Sequence, residues 1–204
     1  MTTALQHGTK AHRQVVAAAR HLFAARGFHQ TAMADLAEEA GVSVGAIYRS
    51  FKGKADIITA IFAEDTRDRL EDIGPLPSRI SAGLISVEDA IGMMVRKSLD
   101  GKDEALSFEI LAEAHRNPEV ARTITGMCNE FRTVFREITR MANPALDAID
   151  LDAAEELLLA CLFGLGHRLL SEPRLSVDET VRLATRMILA ALCAQPVTEA
   201  PARS

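Results

Sequence analysis

The segment from Gly27 to Ile57, GFHQTAMADLAEEAGVSVGAIYRSFKGKADI, gathers side chains suited to gripping a polyanion. Tyr48, Arg49, Lys52 and Lys54 place a phenolic hydroxyl and three cationic groups within one short stretch, and Thr31 adds a hydroxyl upstream. Ser43, Val44, Gly45 and Ala46 precede them. Small side chains let a helix N-terminus approach a duplex closely, and its free N–H groups suit a phosphate. Tyr48 is the only tyrosine in a chain without tryptophan, so a hydroxyl there points to a polar contact rather than a packing need. This chemistry is recognition, not bond-making. No Gly-rich phosphate loop, HExxH or GxSxG is present. Glu113-Ala114-His115 has the wrong spacing for the Glu-x-x-His pairs of a di-iron bundle. Cys128, Cys161 and Cys193 form neither a CxxC pair nor a Cys/His metal spacing and are expected as reduced thiols. His21 and His29 read as surface or loop residues. No metal, cofactor or catalytic residue is expected.

The elements that must present these groups are helices. Two short ones, the first from a Thr31 cap through Met33, Leu36, Ala37 and Ala40 and the second capped by Ser43, flank a tight turn at Gly41. That is the pattern of a helix-turn-helix. A leading helix carries Val15, Val16, Ala19, Leu22 and Phe23 and ends at Gly27, with Lys10, His12 and Arg13 read as preceding it. A longer helix runs from about Lys54 to Asp72 and stops at Gly74-Pro75-Leu76-Pro77. Further helices follow: Ser86 to Asp100, Lys102 to Arg116, and one opened by Asn117-Pro118 and closed by Asn143-Pro144. Residues 152–170 make a helix apolar on nearly every side, and a capping box at Ser176-Val177-Asp178-Glu179 opens the last. With no alternating strand pattern, the chain is all-α with about nine helices.

At 204 residues and 22.1 kDa the chain is long enough for a real core. Its net charge of −5 is divided unevenly: residues 1–56 carry +3 and residues 57–204 carry −8. A basic N-terminal part on an acidic body suits a polyanion-binding head. No apolar run reaches the roughly 18 residues of a membrane span, and the N-terminus lacks a signal-peptide stretch, so a cytoplasmic protein is expected.

The N-terminal segment resembles the DNA-binding domain of the TetR/AcrR family of one-component transcriptional regulators. The resemblance covers about residues 13–62 without a gap. It includes Leu22-Phe23, Gly27-Phe28, Thr31, Leu36-Ala37, Ala40-Gly41-Val42-Ser43, Gly45, Tyr48, Phe51 and Lys54. It implies a three-helix DNA-binding domain over 1–56, a helical effector-binding and dimerisation domain over 57–196, and a disordered tail over 197–204. Thr31, Tyr48 and Lys54 would contact phosphates. Ser43, Val44, Gly45, Ala46 and Arg49 would face the major groove, with Lys52 adding charge. Ala32 stands where the family often has a hydroxyl, and Ser50 replaces a frequent His or Tyr.

The resemblance also implies double-stranded DNA with a palindromic operator as partner, a homodimer, and a small-molecule effector that releases a repressor. The over-apolar helix, with Leu158, Cys161, Leu162 and Leu165, would pair with Val181, Ile188 and Leu192 in an intermolecular four-helix bundle. Met93, Phe108, Met127, Phe131 and Phe135 are the candidates for an apolar effector pocket, with His115 and His167 as polar handles. Two other classes stand beside this reading: an enzyme of unknown chemistry, and a helical interaction protein that keeps the fold without operator binding. The intact Gly41, Gly45, Tyr48 and Lys54 weigh against the latter.

Overall fold

The computed structural model describes residues 10–100 and 104–194. Among these, ten α-helices and one 3-10 turn account for the regular structure. They are α1 (Lys10–Arg26), α2 (Met33–Ala40), α3 (Val44–Tyr48), α4 (Lys54–Ile73), α5 (Leu76–Ser81), α6 (Val87–Leu99), α7 (Glu104–Arg116), α8 (Pro118–Ala142), α9 (Ala148–Gly166) and α10 (Val177–Leu192). The 3-10 turn spans Arg168–Ser171.

All nine expected helices are present. The tenth, α5, occupies a stretch read as a break. Pro75 and Pro77 do end α4, but a proline in a first helical turn loses no hydrogen bond, so a short helix follows at once. Helix α9 starts earlier than expected because the Asp147 carboxylate accepts from the Asp150 amide at 2.9 Å. It stops sooner as well, giving way to the 3-10 turn and to Glu172, whose φ is +47°. Lys10, His12 and Arg13 lie inside α1, not ahead of it. The expected tail over 197–204 and the start of α7 at Lys102 lie outside the described residues.

The chain forms two compact units. The first, the head, takes the described residues up to Arg67 together with those from Glu104 to Met127; the second, the body, takes the rest. This grouping is interleaved, unlike the contiguous division at 56–57 read from the sequence. Its cause is apolar: Leu106, Ile110 and Val120 complete a core built from Val15, Leu22, Phe23, Leu36, Ile47, Phe51, Ile57, Ile58 and Ile61. Arg20 adds a polar tie between α1 and α4, reaching Asp65 at 2.7 Å and Glu64 at 3.4 Å. Burial works against its charge, but the two carboxylates outweigh it and hold the guanidinium above its ordinary pKa.

The body is organised around α6, which packs against α5, α9 and α10. Its core joins Ile91, Met94 and Val95 to Phe135, Ile138, Leu158, Leu162, Ile188 and Leu192. A Cβ on Gly166 would lie 3.1 Å from the Ser98 carbonyl, so glycine permits the close approach of α9 to α6. No described helix is long and apolar enough to cross a membrane.

Candidate nucleic-acid interface

Helices α2 and α3 are joined by Gly41, whose φ of +64° is the left-handed conformation that glycine adopts without strain. The Val42 amide then closes on the Ala37 carbonyl at 3.0 Å. Ser43 caps α3 as expected, its Oγ accepting from the Ala46 amide at 3.1 Å. With only five residues, α3 is anchored by a single fully buried side chain, Ile47.

Around that anchor the predicted reading residues point outward. Ser43, Val44, Gly45 and Arg49 are exposed, Ala46 is half-buried, and Tyr48 is 55% exposed. An exposed Tyr48 fits a contact outside the fold better than a packing role. Gly45 has an ordinary helical conformation and open space where a Cβ would be. The fold therefore does not demand glycine there, although glycine in a helix costs about 1 kcal/mol relative to alanine. Its use is room for something that approaches α3 from outside. Lys52 is exposed, and its backbone N–H is held by Asp56 at 2.7 Å.

Two of the predicted phosphate contacts are placed elsewhere. Thr31 is 1% exposed, and its hydroxyl donates to the Gly27 carbonyl at 2.9 Å. It is neither a surface donor nor the cap of α2. That cap position is Ala32, and Asp35 satisfies its backbone amide at 2.7 Å. Lys54 is half-buried, and its ammonium donates to the carbonyls of Phe28 at 2.6 Å, Thr31 at 2.7 Å and His29 at 3.3 Å. It also stands 4.8 Å from the centre of the Phe28 ring. Burial lowers the Lys54 pKa, with Glu113 and Asp35 pulling the other way. Lys54 thus clamps the turn between α1 and α2 from within the head. A lone basic residue at a helix start does not reveal this, because the carbonyls it meets lie more than twenty residues earlier in the chain.

The predicted effector residues divide between the two units. Phe108, His115 and Met127 belong to the head unit, the first two exposed. In the body, Phe131 and Phe135 stack with centroids 6.2 Å apart, and Phe135 is buried. His167 packs at 4.3 Å on Phe163, with its Nδ1 2.9 Å from the Phe163 carbonyl, and Met93 is exposed. The cavity of about 330 Å³ near Leu22, Arg26, Asp35, Glu38 and Glu39 involves none of these residues.

The predicted dimer residues also separate. Leu158, Leu162, Ile188 and Leu192 are buried in the body's own core, so they are not free to meet a second chain. Leu165 and Val181 are half-buried, and Cys161 is exposed. Other apolar side chains of the same two helices remain outside, Cys161 among them. On α9 a stripe runs through Ala153, Leu157, Ala160, Cys161 and Gly164, with Ile149 and Phe163 also exposed, and on α10 a stripe runs through Met187, Ala190 and Ala191, with Val177 also exposed. Each stripe follows the helical repeat. Partial burial raises the Cys128 and Cys161 thiol pKa values, which fits unreactive thiols.

Comparison with known proteins places this geometry. Residues 15–61 match the family model described as bacterial regulatory proteins, tetR family. The transcriptional regulator UidR of Escherichia coli is 29% identical over 115 residues, which is 53% of this chain and 54% of UidR. The chain thus spans about half the length of this relative. Among solved structures, the Bacillus subtilis transcriptional regulator FadR, in complex with stearoyl-CoA, superposes with a TM-score of 0.72 at 18% identity, covering 88% of this chain and 98% of FadR. Salmonella enterica GusR gives 0.72 at 23% identity, over 93% and 98%. These two likenesses are of fold. Carried by the match across residues 15–61 and by the helix-turn-helix it encloses, the assignment is that the N-terminal part of this chain is similar to the tetR family of bacterial regulatory proteins.

Proposed function

We propose that this protein is a DNA-binding transcriptional regulator, a homodimeric repressor released from a palindromic operator by a small apolar effector. Residues 1–56 are its DNA-binding domain and residues 57–196 its effector-binding and dimerisation domain. The observation that carries the reading is α3: a short, Ser43-capped helix with Val44, Tyr48 and Arg49 exposed and unused space at Gly45. Arg49 has the only long donors among the groove-facing residues and can reach guanine O6 and N7. Val44 and Ala46 meet thymine methyls. Tyr48 and Lys52 reach phosphates, which set the register.

One short helix buries too little surface for tight specific binding, so two heads on two half-sites are required. The exposed apolar stripes of α9 and α10, centred on Leu157 and Met187, supply the surface for pairing. The stearoyl-CoA carried by the FadR structure supports an apolar effector, as do Phe131 and Phe135 in the body.

Selection of duplexes from a random pool by the purified full chain tests the reading with no operator sequence assumed. The expected result is a palindromic consensus bound by a particle of twice 22.1 kDa in light scattering. Recovery of no enriched sequence, or a strict monomer on DNA, contradicts it. Apolar compounds that raise the melting temperature should then weaken binding to that consensus, since a ligand shifts an equilibrium only by its unequal affinity for the two states.

A further inference from the structure

We propose that Glu109, on α7, is a positioning residue for DNA binding: it fixes the turn between α1 and α2, and through it the placement of the α2–α3 pair. This rests on the reading of the head as a DNA-binding unit. The turn begins at Gly27, whose φ is +85°. The next amide, that of Phe28, has left the helix ladder and donates to Glu109 Oε2 at 2.9 Å, across 81 residues of chain. Glu109 Oε1 lies 3.3 Å from where a Cβ of Gly27 would be. The carboxylate is therefore seated against the bare Cα of the glycine, and a side chain at position 27 would push it away.

The same turn is held from its other polarity by Lys54, which takes the carbonyls of Phe28 and Thr31. An anion from α7 grips the N–H, and a cation from α4 grips the carbonyls. Hydrogen bonds to ionised groups are about twice as strong as neutral ones, and both partners here are half-buried. The carboxylate is presented by a fixed element, because Leu106 and Ile110 on either side of it are buried in the head core. The apolar packing of these two residues does not call for an acid between them. Helix α2 starts at Met33, five residues beyond Phe28, and α3 follows it. A turn free to relax would let α2 and α3 sample several placements, and ordering them on the duplex would then oppose binding.

The test uses the full chain, with Glu109→Ala, Glu109→Gln and, as a packing control on the same helix, Ile110→Val. Binding to the selected duplex is measured by anisotropy well below the melting temperature at several salt concentrations, and exchange of the Phe28 amide is followed by NMR on the free protein. Glu109→Ala should weaken binding about tenfold, the loss of one charge-assisted bond. The slope of log K against log salt should not change, since no phosphate contact is removed. Phe28 exchange should speed up in the same variant. Glu109→Gln keeps an acceptor and should recover most of both, and Ile110→Val should bind like the parent although it melts earlier. If Glu109→Ala does not fold, Glu109→Asp, one methylene short of the amide, takes its place. Parental affinity with parental Phe28 exchange in the Ala or Asp variant overturns the proposal. So does an affinity loss that Ile110→Val matches. If the parent binds no duplex, the DNA reading itself has failed, which the exchange experiment separates from a failure of the Glu109–Phe28 grip.

Discussion

The head and the body are both helical and both closed over an apolar core, yet they use their polar groups differently. In the head, charged side chains reach across the fold to fix backbone: Lys54 on three carbonyls, Glu109 on one amide, Arg20 on α4. In the body, charged side chains grip backbone only locally, at helix caps and between Arg168 and the Leu175 carbonyl, while the long-range charged contacts join side chains, as in Arg96–Asp178 and Arg136–Asp152. Exposed pairs of that kind contribute little to stability. The head is thus specified by directional contacts and the body by volume. A unit that presents a five-residue helix in one place needs the first; the ligand and second copy proposed for the body are compatible with the second.

Substitutions on α9 should break this contrast most forcefully. Leu158 is 3% exposed and Leu157, one residue away, is 69% exposed. Leu158→Glu buries an unpaired charge at a penalty of several kcal/mol, so the body should unfold. Leu157→Glu should leave the circular dichroism spectrum and folding intact while light scattering falls from dimer to monomer. Equal effects at the two positions would mean that α9 does not have separate inner and outer faces.

A smaller effect separates Lys54 from Lys52. Lys54→Ala should destabilise the head by roughly 1–3 kcal/mol in urea unfolding, since it frees three carbonyls from a charged donor. Lys52→Ala should leave stability alone and reduce the salt slope of DNA binding by about one unit. Within α3, Arg49→Ala should weaken binding by about 1–3 kcal/mol and relax preference at one base pair per half-site. Tyr48→Phe should weaken it by about 1 kcal/mol on every sequence alike. A uniform loss for Arg49→Ala would make it a phosphate contact and leave specificity to methyl contacts and DNA shape.

The mildest contrast is in acid. In the body, Asp89 and Glu179 close capping boxes with Ser86 and Ser176. Hydrogen bonds from the serine side chain and backbone hold both carboxyls below their ordinary pKa values. A carboxylate with a depressed folded pKa contributes stability that is complete above its unfolded pKa and lost as pH falls through the folded one. The starts of α6 and α10 should therefore lose amide protection as pH falls through and below the ordinary carboxylate range. Asp89→Asn and Glu179→Gln should flatten that dependence, and a pH-independent start in the parent would remove these caps from the account.

Most of the fold was legible because its punctuation is local: Ser43, Ser86 and Ser176 cap where they stand, and Gly27 and Gly41 take the left-handed turns. Local signals also located α3 and its outward residues. What they could not supply was partnership at a distance. Thr31 and Lys54 look like surface donors in the sequence, and only the fold shows the carbonyls that occupy them. Glu109 carried no signal at all, since its amide partner lies 81 residues away. Helix α9 failed for another reason. When apolar residues cover every side, periodicity cannot say which leucine faces the chain's own core and which faces out.

The most direct test of the central claim is Gly45→Leu. The fold offers open space at that position and requires no glycine conformation, so the variant should fold and melt at or slightly above the parent temperature. A leucine there projects from the start of α3 into the space the duplex must enter. Anisotropy titration of the selected duplex should therefore give no specific binding for Gly45→Leu beside tight binding for the parent. A variant that binds the duplex with parental affinity would contradict the assignment of α3 as the helix that meets DNA.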